Sequence, residues 1–405
     1  MALVEDNVET TGTSQPSGAG VDTVPCGLGE FLFYFLRLGT IGFGGPIALV
    51  GYMQRDLVEH RRWISSQDYV EGLALSQLSP GPLAAQLAIY LGWVRARLIG
   101  ATLVGLAFVL PSFVMVVALA ALYLRFDGLS WMQGAFYGVG AAAIAIIARS
   151  AVKLLRMTIR TDPLLWSLFA ASALVTALTE SEIIAVFVLC GVVALMVKAP
   201  PRRLSAARAG ALVPWPLWMA AGLSGSASAA TIWKIGWYFA EAGAFVFGSG
   251  LAIVPFLYGG VVTKFHWLND RQFLDAVAVA MITPGPVVIT VAFIGYLAAG
   301  PIGAAAASVG VFLPPFLVVI VLAPYMRRLV KNPQVKAFVN GVTAAATGAI
   351  AGATFVLGKR AILDTTTAAI CLVTLLLLNY KKIPEPLLIL AAGVAGFVIK
   401  RSAGL

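Results

Sequence analysis

Two short stretches of this chain, Ser79-Pro80-Gly81-Pro82 and Thr283-Pro284-Gly285-Pro286, hold the residues best placed to do chemistry. Two prolines around a glycine cannot sit inside a regular helix, because each proline lacks a backbone N–H and its ring clashes with the preceding turn. Apolar sequence flanks both copies (Gly72 to Leu78 and Leu83 to Leu91 around the first), so a helix stops and restarts at membrane depth in each. Pro82 and Pro286 suit the first position of the new helix, where a missing N–H costs nothing. The next amides, of Leu83, Ala84, Val287 and Val288, then have no intrahelical acceptor and carry the positive end of the helix dipole. A helix start aimed into a cavity is a ready anion site. Two such ends facing one point suit a small dianion.

Other polar groups gather near these breaks. Ser79 and Thr283 lie within them, and Gln86 and Thr290 align one turn into the second arms as candidate donors to an anion. Polar residues in transmembrane helices also serve as plain interhelical contacts. The glycine stretch from Gly39 to Pro46 has a twin from Gly243 to Gly250. If unwound, it would bring Gly44, Gly45, Pro46, Gly248 and Ser249 to the same substrate; otherwise it allows close helix packing. Arg37 sits inside the first apolar segment and aligns with Glu241. A guanidinium there suits a tetrahedral oxyanion, whose oxygens accept its fork of donors, and Glu241 is a candidate proton carrier. An Arg37–Glu241 ion pair, or snorkelling to the interface, is the alternative. Glu71 and Asp275 also align, ahead of their prolines, as coupling carboxylates or polar hairpin entries.

Several classes of function are excluded by what the chain lacks. Cys26, Cys190 and Cys371 are far apart, and His60 and His266 are the two histidines, so no metal-binding spacing is present and no cofactor is expected. No nucleophile–base set or paired carboxylate at depth supports an enzyme. No GxxxxGK[ST] loop is present for ATP. The net charge of +10 comes from short Lys and Arg clusters between apolar runs, which reads as membrane topology and not nucleic-acid binding. Thr40-Ile41-Gly42-Phe43-Gly44 looks like a potassium-channel filter, but its twin reads Ala-Phe-Val-Phe-Gly. An ion channel is therefore the weaker alternative.

The elements that must position these residues follow from composition and repetition. The chain has 405 residues, 60% hydrophobic and 11% charged, with apolar runs long enough to span a bilayer along its length. Phe35–Pro82 aligns with Phe239–Pro286 without a gap at an offset of 204, pairing Trp63 with Trp267 and Pro80-Gly81-Pro82 with Pro284-Gly285-Pro286. A slip to 203 then pairs Gly92 with Gly295, Leu110-Pro111 with Leu313-Pro314, and Gly138-Val139 with Gly341-Val342. The chain is an internal duplication. Residues 1–27 read as a disordered polar tail and not a signal peptide, 28–198 as the N-terminal transmembrane repeat, 199–230 as a basic linker, and 231–405 as the C-terminal repeat.

Apolar segments fall at about 31–53, 69–93, 98–124, 131–155, 163–178 and 182–198, and again at about 235–262, 273–299, 302–326, 336–357, 361–379 and 384–400. If the broken second segment of each half enters and leaves on one side, Arg55, Arg61, Arg62, Arg95, Arg97, Lys153, Arg156, Lys198, Arg202 and Arg203 share a face. Five spans then remain per half, which inverts the second half and puts Arg327, Arg328, Lys331, Lys336, Lys381 and Lys382 on that same face. This split follows the positive-inside bias better than six spans per half. The expected fold is an all-α polytopic membrane protein: two homologous repeats in inverted topology, each with five spans and a broken re-entrant helix hairpin. Broken helices at matched places in two repeats point to a transporter's binding site.

Phe43-Gly44-Gly45-Pro46, then Arg61-Arg62-Trp63 with Tyr69, then Gln77-Leu78-Ser79-Pro80-Gly81-Pro82 resembles the chromate ion transporter family. The likeness covers nearly the whole chain, as long members of that family are duplicated. The resemblance implies a secondary transporter that exports chromate across the bacterial inner membrane and gives chromate resistance, with the signature falling on Gly44, Gly45, Pro46, Ser79, Pro80, Gly81 and Pro82. The second half keeps Pro284-Gly285-Pro286 but has Ser249-Gly250 for Gly45-Pro46, so the halves need not contribute equally. Sulfate or another oxyanion is the alternative cargo. The expected partners are the oxyanion and the lipid bilayer, and a homodimer stays open.

Overall fold

The computed structural model describes residues 23–43, 45–126, 130–159, 162–179, 184–200, 229–245, 253–325, 332–362, 364–380, 383 and 385–402. Within them the chain is built of helices, and no strand is present. The first repeat contains α1 (Leu28–Ile41), α2 (Gly45–Met53), α3 (Ser66–Leu78), α4 (Leu83–Phe126), α5 (Ser130–Thr158), α6 (Pro163–Thr179) and α7 (Ile184–Lys198). The second contains α8 (Ala229–Phe245), α9 (Ile253–Tyr258), α10 (Asp270–Ile282), α11 (Thr290–Leu322), α12 (Pro333–Ala361), α13 (Thr365–Tyr380) and α14 (Glu385–Ser402). A wider turn of helix extends α2 over Gln54–His60 and α9 over Gly259–Lys264. Runs within α4, α5, α11 and α12 are long and apolar enough to cross a membrane.

Both proline breaks are the tips of antiparallel helix pairs. Ser65 caps α3 by accepting the Asp68 N–H at 3.0 Å, and Asn269 with Gln272 forms a reciprocal cap on α10. α3 then stops at Ser79, and α4 starts back along it, so that a Cβ on Gly72 would lie 2.3 Å from the Tyr90 ring. α4 reverses again at Ala96 (φ −147°, ψ 34°) and Arg97 (φ 52°, ψ −137°), and α11 does so at Ala299 (φ −152°, ψ 27°) and Gly300 (φ 64°, ψ −158°). After each reversal the two arms pack through bare glycine backbone. A Cβ on Gly92 would meet the Gly100 carbonyl at 2.4 Å, and one on Gly295 the Gly303 carbonyl at 2.4 Å. The fold therefore repeats to the level of individual dihedrals.

The buried clusters fix how the hairpins face each other. Hairpin 1 (Tyr69, Leu75, Leu83 to Leu91) shares its core with Ala101, Val104 and Phe108 from the start of the long arm of α4, and with Val319 at the end of α11 and Ala323 just after it. Hairpin 2 (Phe273 to Met281, Val288 to Ile294) shares its core with Ala304, Ala307 and Val311 from the start of the long arm of α11, and with Val116, Ala120 and Tyr123 from the end of α4. The two long arms thus run in opposite directions between the hairpin bases. The hairpins enter from opposite ends, which is the inverted arrangement.

The repeats also exchange helices. α12 of the second repeat packs on α6 and α7 of the first, and α5 of the first packs on α13 and α14 of the second. Small residues permit the close approach: Gly348 and Gly352 would put a Cβ 2.2 and 2.4 Å from the Phe169 and Ala173 carbonyls, and Gly138 would put one 1.9 Å from the Ala392 carbonyl. Each sequence repeat is completed by helices of the other.

Candidate functional site

The hairpin tips meet the opposite repeat halfway along its long arm. The Gly285 N–H donates to the Gly42 carbonyl at 2.9 Å, and a Cβ on Gly285 would fall 1.9 Å from Ser112 Oγ and 3.2 Å from the Gly39 carbonyl. At the other tip, a Cβ on Gly81 would fall 2.6 Å from Pro315. Ser112 and Pro315 are equivalent positions, one residue after the aligned Leu110-Pro111 and Leu313-Pro314. The contact is thus reciprocal, as a two-fold relation demands. Both tip glycines have positive φ, 133° at Gly81 and 98° at Gly285, which a side chain disfavours.

The glycine stretch takes part as unwound chain. α1 ends at Ile41, Gly42 and Phe43 are not helical, and α2 begins with Gly45 and Pro46. The Gly42 carbonyl thereby becomes free to accept from the second tip. Ser112 Oγ donates to the neighbouring Gly39 carbonyl at 3.2 Å. Gly44, Gly248 and Ser249 lie outside the described residues.

The polar side chains at the tips are used inside their own loops. Ser79 Oγ donates to the Leu75 carbonyl at 2.7 Å, Thr283 Oγ1 to Val279 at 2.7 Å, and Thr290 Oγ1 to Val287 at 2.7 Å. Gln86, fully buried, donates through Nε2 to Ser79 Oγ at 2.9 Å and to the Pro80 carbonyl at 2.5 Å. An amide nitrogen has two N–H groups, so both are spent, and Oε1 is buried without a partner. These four side chains shape the breaks. The amides that open the second arms, Leu83 and Ala84 after Pro82, and Val287 and Val288 after Pro286, have no preceding helical turn to accept from them. Pro80 and Pro284 lie in the non-helical chain between the arms.

The charged candidates do not converge. Arg37 lies on an exposed face of α1 with Phe33, Leu36, Thr40 and Ile41, one turn before the unwound chain. Its equivalent Glu241 is half-buried on α8, and among the described residues the two form no ion pair. Glu71 is half-buried near the base of hairpin 1, where Gln67 donates to it at 3.0 Å. Asp275 is instead enclosed, 2% exposed, with Tyr123 Oη donating to Oδ2 at 2.8 Å.

A basic collar surrounds the base of hairpin 1. The Arg61 guanidinium lies 4.5 Å from the Trp63 ring centre, Arg97 lies 4.4 Å from that of Trp93, and Arg95 donates to the Cys26 carbonyl. Burial pushes the Cys26 thiol above its ordinary range. The matching positions in the second repeat are Phe265, Gly300 and Ala298, so these three cations have no aligned counterpart.

Sequence reasoning did not single out Ser112, Pro315 or Tyr123. The aligned Leu-Pro pairs were a signal for the first two. Tyr123 gave none, since its partner is 152 residues away.

The family profile described as chromate transporter matches residues 29–195 and again 233–397. The chain is 58% identical over 372 residues to a chromate transport protein of Cupriavidus metallidurans, covering 92% of this chain and 93% of that one. It is 54% identical to a probable chromate transport protein of Synechococcus elongatus, covering 90% and 94%, and 34% identical to a chromate transport protein of Pseudomonas aeruginosa, covering 98% and 99%. No solved structure matches the chain.

Proposed function

The chain belongs to the chromate transporter family, and from that premise we propose that it is a secondary transporter exporting chromate across the bacterial inner membrane, with chromate resistance as the result. The observation that carries this reading is the meeting of Gly285 and Gly81 with the opposite repeat at Ser112 and Pro315, halfway along the two long arms. Irregular backbone at membrane depth is tolerated where protein buries it or it lines a wet cavity. Discontinuous helices at a repeat interface are where secondary transporters hold their cargo.

In this reading the second-arm amides of both hairpins cradle the oxyanion from opposite sides, and Arg37 offers it a guanidinium on approach. Rocking one hairpin and its exchanged helices against the other would open the site to each side in turn. The energetics favour export without ATP: a dianion leaving a compartment at −100 mV gains about 4.6 kcal/mol, twice the value for one charge. The basic collar of hairpin 1, on the side assigned to the cytoplasm, would raise the local anion concentration.

The test is radiolabelled chromate flux in proteoliposomes under an imposed potential without a pH gradient, repeated with excess sulfate. Potential-driven chromate flux that sulfate does not abolish supports the reading. Sulfate moving while chromate does not would overturn it.

A further inference from the structure

Hairpin 2 makes polar contact with the first repeat at its tip and through the Asp275 side chain. Tyr123, which donates to Asp275, is 5% exposed and is flanked edge-on by Phe136 at 5.7 Å and Phe293 at 5.4 Å. The equivalent positions in the other half are Glu71 and Met326. Glu71 is half-buried and held by Gln67 of its own helix. A methionine has no O–H to donate, so a phenol–carboxylate bond of this kind belongs to hairpin 2, and it joins a moving part of the proposed cycle to the span it moves against.

A carboxylate withdrawn from water is expensive to keep ionised, and Asp275 is 2% exposed. The elements packed against α10 carry other titratable groups: Arg149 and Lys153 on α5, Glu385 on α14, Tyr296 on α11, and Lys264 after α9. Arg149 and Lys153 act on Glu385. Arg125, Arg156, Lys400 and Arg401 sit in the last turns of their helices, and Tyr137 donates to Asp364. Asp270 and Arg271 share the first turn of α10, and Tyr258 donates to Asp270.

We infer that Asp275 is a proton-binding site of the transport cycle. Uptake of one proton converts the carboxylate to the neutral acid, which weakens its charge-assisted bond from Tyr123 and frees hairpin 2 to shift along α4. Release of the proton restores the charged bond and the closed arrangement. The inference rests on the reading of the chain as a secondary transporter.

Two measurements on the full chain test it separately from that reading. The first needs no substrate: infrared difference spectra of the lipid-reconstituted protein between high and low pH. A protonated-carboxyl band should titrate in the wild type, vanish in Asp275→Asn and remain in Glu71→Gln. Its midpoint should move to higher pH in Tyr123→Phe, because the lost O–H donor favoured the ionised form. A band unchanged in both Asp275→Asn and Tyr123→Phe would overturn the inference. The second is chromate flux at fixed potential with and without a pH gradient. Asp275→Asn should keep chromate exchange and lose the response to the gradient. A full response in that variant would also overturn the inference, whereas absence of chromate exchange in the wild type would count against the transport reading alone.

Discussion

The Gly285 N–H donates to the Gly42 carbonyl at 2.9 Å, joining the tip of one repeat's hairpin to the unwound first span of the other. Each of these groups is free because a helix is interrupted: Gly42 follows the end of α1, and Gly285 lies between two prolines. The prolines and glycines therefore create backbone groups that pair across the repeat interface, beside the amides assigned to the anion.

Gly285→Ala should abolish chromate flux. Its φ of 98° is disfavoured for alanine, and the new methyl would lie 1.9 Å from Ser112 Oγ. The backbone strain alone costs roughly 1–2 kcal/mol. Adding Ser112→Gly should relieve the clash but not the strain, so the double variant should recover part of the flux. Flux per correctly folded protein, normalised by size-exclusion profile, is the readout.

Gly39→Ala should lower thermal stability, and Gly29→Ala should not. A Cβ at Gly39 would sit 2.3 Å from the Phe108 carbonyl, which is backbone and cannot turn aside, whereas nothing lies within 4 Å at Gly29. In α1, replacing Gly29 by alanine can even gain up to about 1 kcal/mol of helix propensity. Melting curves of the two detergent-solubilised variants check this.

Arg97→Gly should be tolerated for folding. Arg97 holds φ 52°, and its twin Gly300 makes the same reversal at φ 64°. Relief of about 1 kcal/mol of backbone strain opposes loss of the stacking on Trp93, so the melting temperature should change little. Flux should instead fall and become less sensitive to salt, because one charge of the collar is gone.

Arg37→Ala should cut chromate flux with little change in stability, since the side chain is exposed and makes no ion pair among the described residues. Arg37→Lys should keep part of the flux, retaining charge without the planar fork. Equal flux in all three proteins would remove Arg37 from the path.

Much of this architecture is legible in the residues. Pro80, Pro82, Pro284 and Pro286 forbid a continuous helix, the offset pairing reveals the duplication, and the Arg and Lys distribution implies inversion. Side-chain roles were harder to read. Ser79, Thr283, Gln86 and Thr290 look like anion donors by position, yet Ser79 and Thr283 bond back to the carbonyl four residues earlier, Thr290 to the one three earlier, and Gln86 to Pro80, so local backbone takes the donors. The exchange of α5 and α12 between repeats leaves no trace in a single chain's periodicity, because a small-residue face does not state its partner. The Tyr123–Asp275 bond is hidden for the same reason.

Chromate is expected to pass where the hairpin tips meet the opposite repeat. Ser112, fully buried beside Gly285, reports on that point directly. A Ser112→Cys variant in a background lacking Cys26, Cys190 and Cys371 can be reconstituted and treated with a small anionic thiol reagent during turnover. Modification should block chromate flux, and saturating chromate should slow modification at least several-fold. Modification at one rate with and without chromate, in protein that still transports it, would contradict the account.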